Sequence, residues 1–183
     1  MKKILLIAGL AIAVIVAAAI TLVYKTKSHS PASLASFDDG NVMIQVQYHS
    51  PSKKGRKIIG ALVPYGKTWR TGANEPTVFE TDRPLLISGK VLKPGKYSLW
   101  TVPNEDSWLV IFNSKVPAWG INVLNHGIAS RDLEADAIIV NVPVMITEKE
   151  FEKFNISIEK TDDMLELVLA WDRTLVAVPF TII

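Results

Sequence analysis

The chain has 183 residues, of which 49% are hydrophobic, and a formal net charge of +2. Four of its 20 basic residues precede residue 36 and all 18 acidic residues follow it, which leaves residues 36–183 with 16 basic and 18 acidic groups, a net charge of −2. This balance argues against nucleic-acid binding, which a basic patch would favour. The absence of cysteine excludes disulfides, thiolate catalysis and cysteine-rich zinc sites.

The N-terminal segment is apolar. An uncharged run extends from Ile4 to Tyr24 between two pairs of lysines, and about 21 helical residues reach across the roughly 30 Å of a hydrocarbon core. We expect residues 1–24 to form a transmembrane signal-anchor, with a cleaved signal peptide as the alternative. Both interpretations place the following domain outside the cytoplasm, in the cell envelope or periplasm, anchored to the membrane or secreted. Residues 25–37 are small and polar, which predicts a flexible tether.

The remainder, residues 38–183, has the pattern of a single all-β domain. Apolar and polar residues alternate from Val42 to Tyr48, which is typical of a strand with one solvent-exposed face. Similar runs predict further strands at residues 57–63, 77–81, 85–88, 96–102, 108–113, 137–142, 154–160, 165–171 and 175–182. Nine or ten such strands predict an antiparallel β-sandwich or a jelly-roll-like barrel, preceded by one N-terminal hydrophobic helix. Thr147–Phe151 fits a capping box and predicts one short helix or turn, and the Asp172-Arg173 pair predicts a tight turn between the last two strands.

One loop carries more chemistry than a turn requires. In the stretch YGKTWRTGANEPT, residues 65–77, Trp69 supplies a flat apolar wall and Arg70 five hydrogen-bond donors. Asn74 offers donors and acceptors, and Glu75 offers a carboxylate that can act as a general base. The combination suits a polar, ring-bearing or anionic ligand. The alternative is a structural lock, in which Arg70 pairs with Glu75, Asn74 caps a turn and Trp69 fills the core.

Two other loops contain candidate site residues. Arg56, in the basic stretch HSPSKKGRKIIG, suits a fixed carboxylate or phosphate, and it could equally pair with Glu75. Trp119 could line the same cavity or fill an apolar gap. A metal site built from His49, His126 and Glu75 has no support from local spacing, so neither a metal nor a cofactor is predicted.

These loops resemble a bacterial family known as domain of unknown function 2911. The resemblance rests first on a Ser-Pro, a Gly-Arg and the strings LVPYGK and WRTGANE, at residues 50–51, 55–56, 62–67 and 69–75. Further matches follow downstream at residues 92–103, 108–113, 119–120 and 171–179. It covers about residues 38–183 and implies a secreted or envelope-anchored β-domain. It implies no activity.

We therefore expect a membrane-tethered extracytoplasmic domain that binds a small polar or anionic ligand, such as a glycan fragment. The predicted binding residues are Arg56, Trp69, Arg70, Asn74, Glu75 and Trp119. One alternative is an envelope hydrolase or isomerase in which Glu75 or His49 is the base and an arginine stabilises a developing anion. Another is a structural envelope assembly domain with no ligand.

Overall fold

The computed structural model describes residues 9–10, 12–18, 21, 27–122, 127–161 and 164–183. Residues 12–18 are helical. Within these described ranges, no helix is both long enough and apolar enough to cross a membrane. Much of the anchor predicted for residues 1–24 lies outside the described residues, as does His126.

The described part of the chain is dominated by β-strands. They are β1 (Ala32–Asp38), β2 (Met43–His49), β3 (Thr77–Thr81), β4 (Leu85–Ile87), β5 (Lys90–Leu92), β6 (Gly95–Pro103), β7 (Ser107–Asn113), β8 (Ile121–Asn122), β9 (Ile128–Ala129), β10 (Asp136–Pro143), β11 (Met145–Thr161) and β12 (Met164–Ile182). A short 3-10 helix at Leu133–Ala135 precedes β10.

All pairs among the described strands are antiparallel, and these strands form two larger sheets and one small one. The first sheet has the order β1-β2-β3-β6-β7-β10, the second has the order β11-β12-β4-β5, and β8 pairs with β9. Both larger sheets contribute to a single hydrophobic core, with Ile44 and Phe79 from the first and Leu167 and Val176 from the second. The alternation predicted in β2 is confirmed, because Ile44, Val46 and Tyr48 are buried. The all-β antiparallel class is therefore confirmed.

The prediction of a jelly-roll-like barrel is wrong, because the two larger sheets do not close on themselves. The six-stranded sheet ends at β1 and β10, and neither edge strand pairs with a strand of another sheet within the described residues. A barrel would need these two edges to be joined by backbone hydrogen bonds.

Two local predictions before residue 70 are also wrong. Residues 32–37, predicted as part of a tether, belong to β1 and pair with β2 in continuous register. The strand predicted at residues 57–63 is a compact turn, in which the Ile58 carbonyl accepts hydrogen bonds from the backbone N–H groups of Ala61 and Val63. Gly60 has φ +80°, a conformation that ends an extended run.

The hairpin formed by β11 and β12 corrects two further predictions. The short helix or turn predicted at residues 147–151 is strand, within β11. The turn predicted at Asp172-Arg173 is absent, because β12 continues through it. Asp172 instead has φ +57°, and the register between the strands shifts near its partner Phe151. An irregularity of this kind bends a strand without ending it.

Candidate functional site

Residues 69–75, here called the signature segment, are fixed to the sheet at their first residue. The backbone N–H of Trp69 donates to the Thr101 carbonyl at 2.7 Å, and the Thr101 N–H donates back at 3.0 Å. The indole Nε1 of Trp69 donates to the carbonyl of Gly72 at 3.0 Å. The segment therefore folds back on its own tryptophan, and β6 holds that tryptophan in place.

The Trp69 ring belongs to an aromatic cluster between the sheets. It stacks on Trp171 with centroids 5.8 Å apart, and it makes edge contacts with Trp108 at 6.3 Å and Phe154 at 5.0 Å. Rings packed in this way contribute beyond their buried area. Trp69 therefore packs in the core, as the structural-lock alternative predicted. It also borders the cleft described below.

The middle of the signature segment is tightly wound and buried. Thr71 and Asn74 both have φ +56°, and Thr71 is fully buried. The Thr77 hydroxyl donates to the Thr71 carbonyl at 2.5 Å. Gly72 has φ +150°, and a Cβ at this position would lie 3.0 Å from the carbonyl oxygen of His49. Glycine is thus favoured here by its backbone conformation and by the tight space around its Cα.

A cleft of about 460 Å³ opens beside this segment. Four of the six predicted binding residues lie on its wall, namely Arg56, Trp69, Arg70 and Asn74. The full lining is His29, Ser30, Pro51, Ser52, Lys54, Arg56, Leu62, Val63, Trp69, Arg70, Gly72, Ala73, Asn74 and Trp171. This lining contains two arginines and a lysine and no carboxylate, so the cleft is cationic.

Arg56 is held by its own loop and does not pair with Glu75. Its Nε donates to the Lys53 carbonyl at 2.9 Å, and its Nη2 donates to the Ser52 carbonyl at 2.7 Å. Lys53 in turn anchors the loop to the second sheet, since its Nζ lies 2.6 Å from Asp172 Oδ1. The loop therefore presents Arg56 at the cleft from a fixed position.

Arg70 differs from Arg56 in that its Nε–H has no hydrogen-bond acceptor among the described residues. Its Nε–H is buried and donates to no hydrogen-bond acceptor among the described residues, and no ion pair joins its guanidinium to Glu75 within 4 Å in the same part of the chain. Burial lowers the pKa of the Arg70 guanidinium, while the negative charge of Glu75 opposes that shift. The Arg70–Glu75 pair of the structural-lock alternative is therefore wrong.

Glu75 pairs instead with Lys27, whose ammonium contacts its Oε1 atom, and with His49, whose Nε2 lies 3.3 Å from its Oε2 atom. Partial burial acts to raise the pKa of Glu75, but the hydrogen bond from Lys27, the residue's own N–H and the charges of His49 and Lys27 hold that pKa below its usual value. Burial lowers the pKa of His49, against the opposing effect of Glu75. A raised carboxyl pKa, which would favour a general acid or base, is not found at Glu75.

Glu75 and His49 line a second pocket, of about 510 Å³, between the ends of β1 and β2 and the residues that precede β3. This pocket shares no lining residue with the cationic cleft among the described residues. The structure thus separates Glu75 from the four predicted binding residues that line the cleft.

Trp119 lines neither of these pockets. Trp119 is 37% exposed, and the centroid of its ring lies 5.8 Å from the Lys27 ammonium. The next residue, Gly120, packs against the Arg70 side chain, because a Cβ on Gly120 would be 2.5 Å from Arg70 Cδ. The Trp119–Gly120 loop therefore contacts Arg70 through Gly120 and Lys27 through Trp119.

The sequence did not reveal three residues of the site, Lys27, Ser30 and Trp171. The Asn74 amide donates to the Ser30 carbonyl at 3.1 Å across 44 positions of sequence, so this contact has no local signal. Trp171 packs in the core and also lines the cleft. Among the described residues, no group of three or more His, Cys, Asp and Glu side chains could hold a metal ion.

The fold and this site define an antiparallel all-β domain with a cationic cleft next to a buried aromatic cluster. The chain belongs to the family described as Protein of unknown function (DUF2911), whose model matches residues 30–180. The family assignment made from the sequence is thereby confirmed. No curated protein and no solved structure matches the chain.

Proposed function

We propose that this domain binds a small anionic ligand in the cationic cleft, with Arg70 as the principal contact. The buried Nε–H of Arg70, which has no acceptor among the described residues, carries this proposal, since a buried cationic group with an unsatisfied donor is costly and an incoming anion would offset that cost. An arginine also matches the geometry of a carboxylate or phosphate through two parallel hydrogen bonds.

The size and lining of the cleft support a small molecule with a compact apolar part. A volume of about 460 Å³ lies within the range of ordinary ligand pockets, roughly 300–1,000 Å³. Trp69 and Trp171 supply apolar wall, while Lys54 and Arg56 add positive charge. Anionic sugars have a negative charge, which would pair with these cations, and a ring, which would pack on the tryptophans. A glycan fragment of this kind is therefore among the candidate ligands.

Asn74 has a different role from the one that the sequence favoured. Its side-chain amide donates to the Ser30 carbonyl, so in our proposal it holds the rim of the cleft in place. Glu75 and Trp119 do not line the cleft. The direct contacts of the proposed site are therefore Arg56, Trp69 and Arg70.

We also propose the setting of this site. The two larger sheets share one core in the manner of a β-sandwich. The apolar run from Ile4 to Tyr24 supports tethering to a membrane with the β-domain outside the cytoplasm.

A thermal-shift titration of the full chain in detergent tests the proposal. The ligands are inorganic phosphate, glucose 6-phosphate, glucuronate and uncharged glucose, at constant ionic strength. A ligand present at about 100 times its Kd adds about 2.7 kcal/mol to the free energy of unfolding. We expect at least one anion to raise Tm in the wild type and in the matched control Arg83→Gln, an exposed arginine outside the cleft lining, and not in Arg70→Gln. An equal rise in Arg70→Gln would contradict the proposal.

A second candidate function, an envelope hydrolase or isomerase, is favoured by one contact. His49 Nε2 lies 3.3 Å from Glu75 Oε2 beside the second pocket, and the lowered pKa of His49 keeps its imidazole neutral and able to accept a proton at pH 7. Turnover of model esters that is lost in His49→Gln and retained in Arg70→Gln would support this function. Without such turnover in the wild type, this candidate is discarded.

A further inference from the structure

Lys27, Glu75, His49 and Arg70 form one electrostatic cluster behind the cleft. Lys27 contacts Glu75 directly, and His49 lies 3.3 Å from the same carboxylate. The charge of Glu75 acts on the pKa of Arg70, and the charges of Lys27 and Arg70 both act on the pKa of His49. The cluster therefore holds one carboxylate and two permanent cations.

Only one of the two permanent cations neutralises the carboxylate. Lys27 forms an ion pair with Glu75, whereas Arg70 has no ion pair in the described part of the chain. If Lys27 were uncharged, Arg70 would be the remaining permanent cation able to compensate Glu75. The ligand and Glu75 would then compete for the same guanidinium.

The Arg70 side chain is packed against the loop that also contacts Lys27. A Cβ on Gly120 would lie 2.5 Å from Arg70 Cδ and 2.9 Å from Arg70 Cβ, so the backbone of the Trp119–Gly120 loop rests directly on this side chain. The same loop places the Trp119 ring 5.8 Å from the Lys27 ammonium. One loop thus contacts both cations.

The chain that carries Lys27 is itself part of the cleft. His29 and Ser30 line it, and the Ser30 carbonyl accepts a hydrogen bond from the Asn74 amide. Residues 27–30 therefore run from Glu75 to the rim of the cleft.

We infer that Lys27 is a positioning residue of the anion site, which neutralises Glu75 and so keeps Arg70 available for the ligand. This inference rests on the proposed function and assigns to the segment before β1 a role in binding. Lys27 acts through Glu75 and makes no contact with the ligand.

The test compares Lys27→Met, Lys27→Arg and the double variant Lys27→Met with Glu75→Gln in the full chain. Lys90→Met, an exposed lysine on β5, is the matched control for loss of one positive charge. Binding of inorganic phosphate is measured by calorimetry, and the folded state of each variant is checked by urea unfolding. The ¹⁵N resonance of Arg70 Nε, assigned with Arg70→Lys, provides a readout that needs no ligand.

We expect Lys27→Met to bind phosphate about tenfold more weakly than the wild type, with Lys90→Met and Lys27→Arg close to the wild type. Binding should return in the double variant, because Glu75→Gln removes the charge that competes for Arg70. An unchanged affinity in Lys27→Met would overturn the inference, and so would a double variant as weak as Lys27→Met.

If the wild type binds no phosphate, the Arg70 resonance still decides the inference separately from the proposed function. A shift of this resonance in Lys27→Met that is reversed in the double variant supports the competition between Lys27 and Arg70 for Glu75. A resonance that stays at the wild-type position in both variants overturns it.

Discussion

Replacement of Gly72 by alanine tests why the signature segment has glycine at its centre. Gly72 has φ +150°, and the added Cβ would lie 3.0 Å from the His49 carbonyl oxygen and 3.1 Å from Thr77 Oγ1. Neither neighbour moves away easily. The first belongs to the backbone at the end of β2, and the second donates a hydrogen bond to the Thr71 carbonyl.

The expected cost is the sum of backbone strain and overpacking. A residue with a side chain in a sparsely populated backbone region costs about 1–3 kcal/mol, and an extra carbon in a filled space costs about 1–3 kcal/mol. We expect Gly72→Ala to lower the free energy of unfolding by about 3 kcal/mol. For a domain of this size, that corresponds to a fall in Tm of about 6–12 °C.

Urea unfolding measures this change, with Gly55→Ala as the matched control. Gly55 has φ +68°, and a Cβ there would meet nothing within 4 Å, so its replacement costs only the strain of a left-handed residue, about 1 kcal/mol. If Gly72→Ala proves no more destabilising than Gly55→Ala, the close approach of the segment to β2 is refuted as the reason for the glycine.

Three further predictions concern buried polar groups. Thr77→Val should lower the free energy of unfolding by about 1–3 kcal/mol in urea unfolding, because the buried Thr71 carbonyl loses the donor that it now has at 2.5 Å. Because burial holds the pKa of His49 below 6.5, its unfolded form takes up a proton first as pH falls, so stability should drop below about pH 6.5. A Tm series from pH 8 to 5 should show a smaller drop in His49→Gln, and an equal drop would contradict the assignment. Asp136→Ala should cost about 3–5 kcal/mol in urea unfolding, because it leaves the nearly buried guanidinium of Arg131 unpaired, and a loss below 1 kcal/mol would show that the pair does not stabilise the fold.

The local pattern of the chain was enough to predict its class and most of its strands. Alternation in β2 follows from a strand with one buried face, and this property depends only on neighbouring residues. Local pattern failed where tertiary contacts decide the backbone. Residues 57–63 are apolar enough for a strand, yet they form a turn, whereas residues 32–37, predicted as part of a tether, form a strand because β2 offers them a hydrogen-bonding edge.

The candidate site likewise has features that the sequence predicts and features that only the tertiary structure decides. The sequence by itself determined that one loop contains Trp69, Arg70, Asn74 and Glu75, which are more polar and aromatic side chains than a turn requires. Only the tertiary structure decided that Glu75 pairs with Lys27, 48 positions away, and that Arg70 remains without an ion pair among the described residues. The physical reason is that a carboxylate pairs with the cation that the fold brings nearest, and the order of residues along a loop does not specify that distance.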